Sequence, residues 1–178
     1  IEYSIDSTVK REHIQYMEQS YGDYTPHKIV LICAKGSYKE GGKVGEWKTY
    51  VSYDYAHPVK WRLYETQNYK NGKLNGLWRC YSKNGQVSDE CNYKDGYQHG
   101  IYKAYYPNRK LKRSVALKNG FMNGAMKAYN EKGMLMFDAL LKDNYYHGAQ
   151  HYYHENGKIF TTRIYSYGRL LKIKEVKD

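Results

Sequence analysis

Glycine falls on a beat in this chain. From residue 72 to the end there are eleven glycines, and in rows of 24 they occupy only three columns. The first holds Gly72, Gly96, Gly120 and Gly168, with Asn144 standing in once. The second holds Gly76, Gly100, Gly124 and Gly148; the third holds Gly85, Gly133 and Gly157, with Arg109 the exception. Other residues keep the same period. Trp78 aligns with Tyr102, Met126 and Gln150, and Tyr81 with Tyr105, Tyr129 and Tyr153. Val87 aligns with Leu111, Leu135 and Ile159, and Tyr93 with Leu117, Leu141 and Tyr165. An earlier copy, Tyr38, Gly41, Gly45, Trp47 and Tyr50, lies 31 residues upstream, which puts seven extra residues within 51–60. A fixed period of this length marks an array of stacked units, each contacting mainly its neighbours.

Three glycines in every 24 residues argue against helix, since each costs about 1 kcal/mol in a helix interior. Asn84-Gly85, Lys132-Gly133 and Asn156-Gly157 between Tyr-rich segments read instead as hairpin turns. Type I′ is expected there, because Asn-Gly is its strongest short signal. The second connector, such as residues 94–100, passes the chain to the next hairpin. The sequence thus predicts an all-β fold, an elongated single-layer sheet with one β-hairpin per 24-residue repeat. Residues 1–35 form an N-terminal cap segment, 36–170 the array and 171–178 a C-terminal tail. Within the cap, residues 6–19 read as a short helix capped by Asp6 or Ser7.

The pattern G-x-x-x-G-x-W-x-x-Y-x-x-N-G, fullest at Gly72, Gly76, Trp78, Tyr81, Asn84 and Gly85, resembles the MORN repeat (membrane occupation and recognition nexus). It is most similar to the bacterial variant found in antitoxin-like proteins, over roughly residues 36–170. The resemblance implies a non-enzymatic binding module: an antitoxin or immunity protein, an anionic-lipid binder, or a scaffold. Met126 and Gln150 in the aromatic column, and "PNRK" at the third turn, depart from the pattern.

The net charge of +11 is unevenly placed. Residues 1–71 carry 10 Lys/Arg against 9 Asp/Glu, and residues 72–178 carry 19 against 9. One lysine column, Lys39, Lys70, Lys94, Lys118 and Lys142, falls at connectors and reads as solvated turn residues. A second column, Lys48, Arg79, Lys103, Lys127 and His151, stands two residues before Tyr50, Tyr81, Tyr105, Tyr129 and Tyr153. Residues two apart on a strand share a face. This predicts a stripe of cations and tyrosines on one face, and an apolar seam of Trp78, Val87, Cys91 and Tyr93 on the other. The stripe is the candidate partner-binding surface; its structural alternative is a tyrosine ladder packed under lysine stems. A second basic focus is "NRKLKR", with Arg109, Lys110, Lys112 and Arg113 at the tip of the third hairpin.

No local pattern of nucleophile and base, no phosphate-cradling loop and no paired carboxylates stand out, so neither catalysis nor a cofactor is expected. His147, His151 and His154 invite a metal reading, but His151 and His154 face opposite ways on a strand. Cys80 and Cys91 are placed diagonally on one face, close enough for a disulfide, although two separate thiols are the expectation. The first residue is Ile, which fits a removed signal or lipoprotein leader and a periplasmic or membrane-anchored protein; a truncated start is the alternative. The expected partner is a toxin or effector with an acidic surface. Anionic lipid is the second reading, and single-stranded nucleic acid, stacked on the tyrosines, the third.

Overall fold

A computed structural model describes residues 9–19, 28–52 and 60–175. Every element in it is a strand: β1 (Val9–Gln19), β2 (Lys28–Lys39), β3 (Gly42–Ser52), β4 (Arg62–Lys70), β5 (Lys73–Leu74), β6 (Gly76–Tyr81), β7 (Val87–Lys94), β8 (Tyr97–Tyr105), β9 (Leu111–Lys118), β10 (Phe121–Tyr129), β11 (Leu135–Lys142), β12 (Tyr145–Tyr153), β13 (Ile159–Ser166) and β14 (Arg169–Glu175). They form one open antiparallel sheet in chain order, with only the short β5 off the path, paired to β4. The stacked-hairpin architecture is as the repeat predicts. Of the range 51–60, where the seven extra residues of the first unit are expected, 53–59 lie outside the described residues.

Residues 9–19 are not a helix. They pair with β2 along their whole length, from Val9↔Tyr38 to Gln19↔Lys28. The segment lacks a good apolar helix face, and β2 offers it a row of backbone donors and acceptors that a helix could not satisfy.

The turns exchange the roles expected of them. Asn71-Gly72, Asp95-Gly96 and Asn119-Gly120 have positive φ at both residues, as do Glu40-Gly41, Asp143-Asn144 and Tyr167-Gly168. That is the φ signature of type I′, and it belongs to the two-residue loops between units, such as the one closed by Lys94↔Tyr97. At Asn84-Gly85 only the glycine is positive. There Gly85 N donates to Ser82 O at 2.9 Å and Ser82 N to Gln86 O at 2.8 Å, a type I turn followed by a bulge. Loop length decides between the two, and both loops end in a residue plus glycine, so the dipeptide alone could not separate them. The "PNRK" turn keeps the same two bonds, both 2.9 Å, with Arg109 at φ +67 in the glycine's place.

One face of the sheet is the apolar seam. Trp47, Cys91, Ala104, Val115, Leu117, Ala139 and Leu141 are buried along it. Gly36 lets Trp47 lie flat on β2, since a Cβ there would meet the indole ring at 2.2 Å. Each unit is also tied to the next through the backbone. Gly96 N donates to Leu74 O, Gly120 N to Gln98 O and Gly168 N to Tyr146 O, each at 2.8 Å.

Candidate functional site: the cation and tyrosine face

The strand register places the cation column in one row. Lys35, Lys48, Thr66, Arg79, Glu90, Lys103, Ser114, Lys127, Asp138, His151, Thr162 and Lys174 are each directly paired with the next. Directly opposed residues project from the same face. The tyrosines stand beside them in a second row, with Tyr81 opposite Val87, Tyr105 opposite Leu111, Tyr129 opposite Leu135 and Tyr153 opposite Ile159. Val87 therefore lies on the tyrosine face, not in the seam with Trp78. The bulge between Cys80 and Tyr81 turns it over. Cys91 and Tyr93 do share the face of Trp78. Among the described residues Cys33, Cys80 and Cys91 form no disulfide; burial pushes Cys80 and Cys91 above the ordinary thiol range.

The stripe is not purely cationic. Glu90 is set between Arg79 and Lys103, with Arg79 Nε 3.2 Å from Oε2 and Lys103 Nζ 3.6 Å from Oε1. The phenol of Tyr105 donates to Oε1 at 2.8 Å. Burial by itself would raise the Glu90 carboxyl. The hydrogen bonds from Tyr105 and Arg79, with the charges of Lys103 and Arg79, outweigh burial and hold it below the usual range. Tyr105 moves the other way, pushed up to about 12 by its own burial and by Glu90. Each cation is more than 40 % exposed, and ion pairs that open to water contribute about 0–1 kcal/mol. Their chief effect is therefore to orient the Arg79 and Lys103 heads.

The same arrangement returns 48 residues later. Lys127, Asp138, His151 and Tyr153 stand where Arg79, Glu90, Lys103 and Tyr105 stand. His151 Nδ1 is 2.7 Å from Asp138 Oδ1. Tyr153 is raised by burial, then by the charge and hydrogen bond of Asp138. The two clusters are four strands apart, about 19 Å at the usual strand spacing. Glu90 and Asp138 were missed in the sequence because each alone resembles a scattered surface acid. Their signal is the column Thr66, Glu90, Ser114, Asp138, Thr162, which alternates hydroxyl and carboxylate between cations.

A groove of about 400 Å³ opens on this face, lined by Arg79, Gly85, Gln86, Val87, Glu90, Tyr105 and Arg109. With its amide nitrogen turned to Pro107 O at 2.7 Å, Gln86 accepts from Arg109 Nε at 3.1 Å. Of the other cations, Lys48 pairs with Glu46 at 3.0 Å, whereas Lys127 is exposed in the row opposite Ser114 and Asp138. Tyr50 stands in the tyrosine row, opposite Cys33 on one side and Leu63 on the other.

The second basic focus divides. Arg109 joins the groove, and Lys110 Nζ bonds to Lys132 O of the next turn at 2.7 Å. Lys112 lies over the Tyr106 ring, 5.6 Å from its centroid, and Arg113 over Tyr102 at 5.4 Å, on the seam face. The three histidines separate as well, His147 lying against Tyr167 at 4.8 Å and His154 against Phe160 at 4.7 Å. Among the described residues no three His, Cys, Asp or Glu side chains are grouped to hold a metal ion.

Residues 74–95 and 98–119 match the MORN repeat variant. Two adjacent units of the array are thus similar to that repeat. The match covers β6 with β7 and β8 with β9, and the groove lies where the two matched units meet. Arg79, Gln86, Val87 and Glu90 come from the first, Tyr105 and Arg109 from the second. No curated protein matches this chain.

Proposed function

We propose that this chain is a non-enzymatic binding module that docks an acidic protein partner on its cation and tyrosine face, and that it acts as an antitoxin or immunity protein by covering a toxin or effector. The observation that carries the reading is the groove at Glu90, where Arg79, Lys103 and Tyr105 are held by one carboxylate. Side chains fixed before association lose less entropy on binding. Arg and Tyr are also the residue types that most often dominate interface energy. The similarity to a repeat used for binding and scaffolding agrees with this, and the net charge of residues 72–178 favours an acidic surface opposite.

Affinity capture from nuclease-treated lysate of the source organism tests it, with washes at low and high salt. One stoichiometric protein that survives high salt, and is absent with Arg79→Ala/Tyr105→Ala, supports the proposal. Lipid or nucleic acid that leaves as salt rises would replace it with a purely electrostatic role, because such contacts are screened.

A further inference from the structure

On the seam face, two successive units of the aromatic column share a geometry that changes in the unit after them. In the units of Trp78 and Tyr102 the ring reaches back to a carboxylate thirteen residues earlier, whereas Trp47 donates to Ser37 O at 3.2 Å. Trp78 Nε1 donates to Glu65 Oε2 at 3.0 Å, and the Tyr102 phenol donates to Asp89. In the next unit both halves of this pair change together, for Met126 replaces the ring and Arg113 the acid. A groove of about 290 Å³ lies between Tyr102 and Met126. Its floor is the buried pair Val115 and Leu117, and Met122 forms a wall. Arg113 stands on the rim, its guanidinium 5.4 Å from the Tyr102 ring centroid and hydrogen-bonded to the Tyr102 side chain. Asn144 is also on the rim, its carbonyl oxygen taken by Met122 N at 2.7 Å.

We infer that this groove is a binding site for an aromatic carboxylate, a planar ring with an acid group beside it. The fold indicates what fits, since the two preceding units seat Trp78 and Tyr102 in this column. The exchange of acid for Arg113 reverses the charge expected of the occupant. Thioethers at Met122 and Met126 favour contact with a ring, and the donors of the Arg113 guanidinium beyond its bond to Tyr102 favour a carboxylate through a charge-assisted bond. The site is on the opposite face from the Glu90 groove and stands independently of it.

Titration of the full chain with N-acetyl-L-tryptophan, followed through the methyl resonances of Met122 and Met126, tests the assignment. Both methyls shift and saturate, and N-acetyl-L-tryptophanamide binds about tenfold more weakly, as expected for loss of one charge-assisted hydrogen bond. Arg113→Gln brings the acid down to the level of the amide. Met126→Trp fills the groove and abolishes the shift at Met122 while the strand circular dichroism is retained. The peptide Gly-Gly-Trp with a free C-terminus separates the sources. Tighter binding than the acylated amino acid assigns a peptide terminus, and equal or weaker binding assigns a small aryl carboxylate. Equal shifts with acid and amide, or undiminished binding in well-folded Met126→Trp, would overturn the inference.

Discussion

The phenol of Tyr105 donates a 2.8 Å hydrogen bond to Glu90, an acid on the neighbouring strand that is also held by Arg79 and Lys103. This bond joins two repeats across the join that forms the groove. A tyrosine with its hydroxyl fixed and its ring at a groove wall presents a defined surface to a partner, whereas a free tyrosine would have to be ordered on binding.

Acid and alkali should act on this bond from opposite sides. The Glu90 carboxyl is depressed in the folded chain, so its stabilisation is complete above the ordinary glutamate value of about 4.3 and is lost as pH falls through the lower folded value. Tyr105 is raised to about 12 from 10.0, so its contribution is complete below the unfolded value and is lost as pH rises through about 12. Denaturant midpoints measured across pH should show a flatter acid flank for Glu90→Gln and a flatter alkaline flank for Tyr105→Phe. At neutral pH, Glu90→Gln should cost about 1 kcal/mol, since its partners are half open to water. Flanks identical to those of the parent would show that the bond is not made in solution.

Arg109 should separate stability from binding. It takes the left-handed turn position, φ +67, that Gly85, Gly133 and Gly157 hold in the other units. Left-handed backbone costs a side-chain-bearing residue about 1 kcal/mol relative to glycine. Arg109→Gly should therefore raise the melting temperature while it removes a guanidinium from the groove and weakens the partner. Thermal denaturation and partner titration on the same variant read the two effects, and a fall in melting temperature would contradict the strain argument.

Gly124 should tolerate no side chain. Its φ is +118, and a Cβ there would lie 2.9 Å from the Ala116 Cβ. Gly124→Ala should lose about 2 kcal/mol from backbone strain and the clash together. Gly45→Ala is the control, because no atom lies within 4 Å of its added Cβ and only the strain remains. Chemical denaturation of both variants should give the larger loss at Gly124.

In the seam, Val115→Ala should cost about 1–3 kcal/mol, since the side chain is 5 % exposed and a single sheet layer has little to collapse into the gap. Amide hydrogen exchange should show that loss concentrated in the adjoining strands, as repeat arrays transmit stability chiefly between neighbours. Uniform loss of protection along the array would contradict that locality.

The glycine columns made the fold legible before any coordinates, because a turn that needs positive φ can be filled by few residues. The alternation of Lys103 with Tyr105 likewise placed both on one face, since parity holds along an unbroken strand. Parity failed at Val87, where Ser88 is an extra residue between the pairs Cys80↔Asp89 and Tyr81↔Val87, a bulge that no residue type announces. Turn type failed at Asn84-Gly85 for a related reason: backbone closure over five residues outweighs the preference of the dipeptide. Glu90 was invisible for want of a partner in sequence, because its contacts with Arg79, Lys103 and Tyr105 exist only across strands. The N-terminal strand was hidden too, its backbone pairing with β2 being a tertiary fact with no local signature.

The central claim is that the face bearing Arg79, Lys103 and Tyr105 is where the partner docks. The most direct measurement is quantitative capture of the partner by the parent chain and two variants, one on each face. Arg79→Ala removes a cation from the Glu90 groove; Arg163→Ala removes one that lies over Tyr152 on the seam face, 5.1 Å from its ring centroid. The account predicts at least a tenfold loss of capture for Arg79→Ala, in keeping with truncation of an interface arginine, and parent-like capture for Arg163→Ala. Loss with Arg163→Ala, with Arg79→Ala binding as the parent does, would place the partner on the other side of the sheet and contradict it.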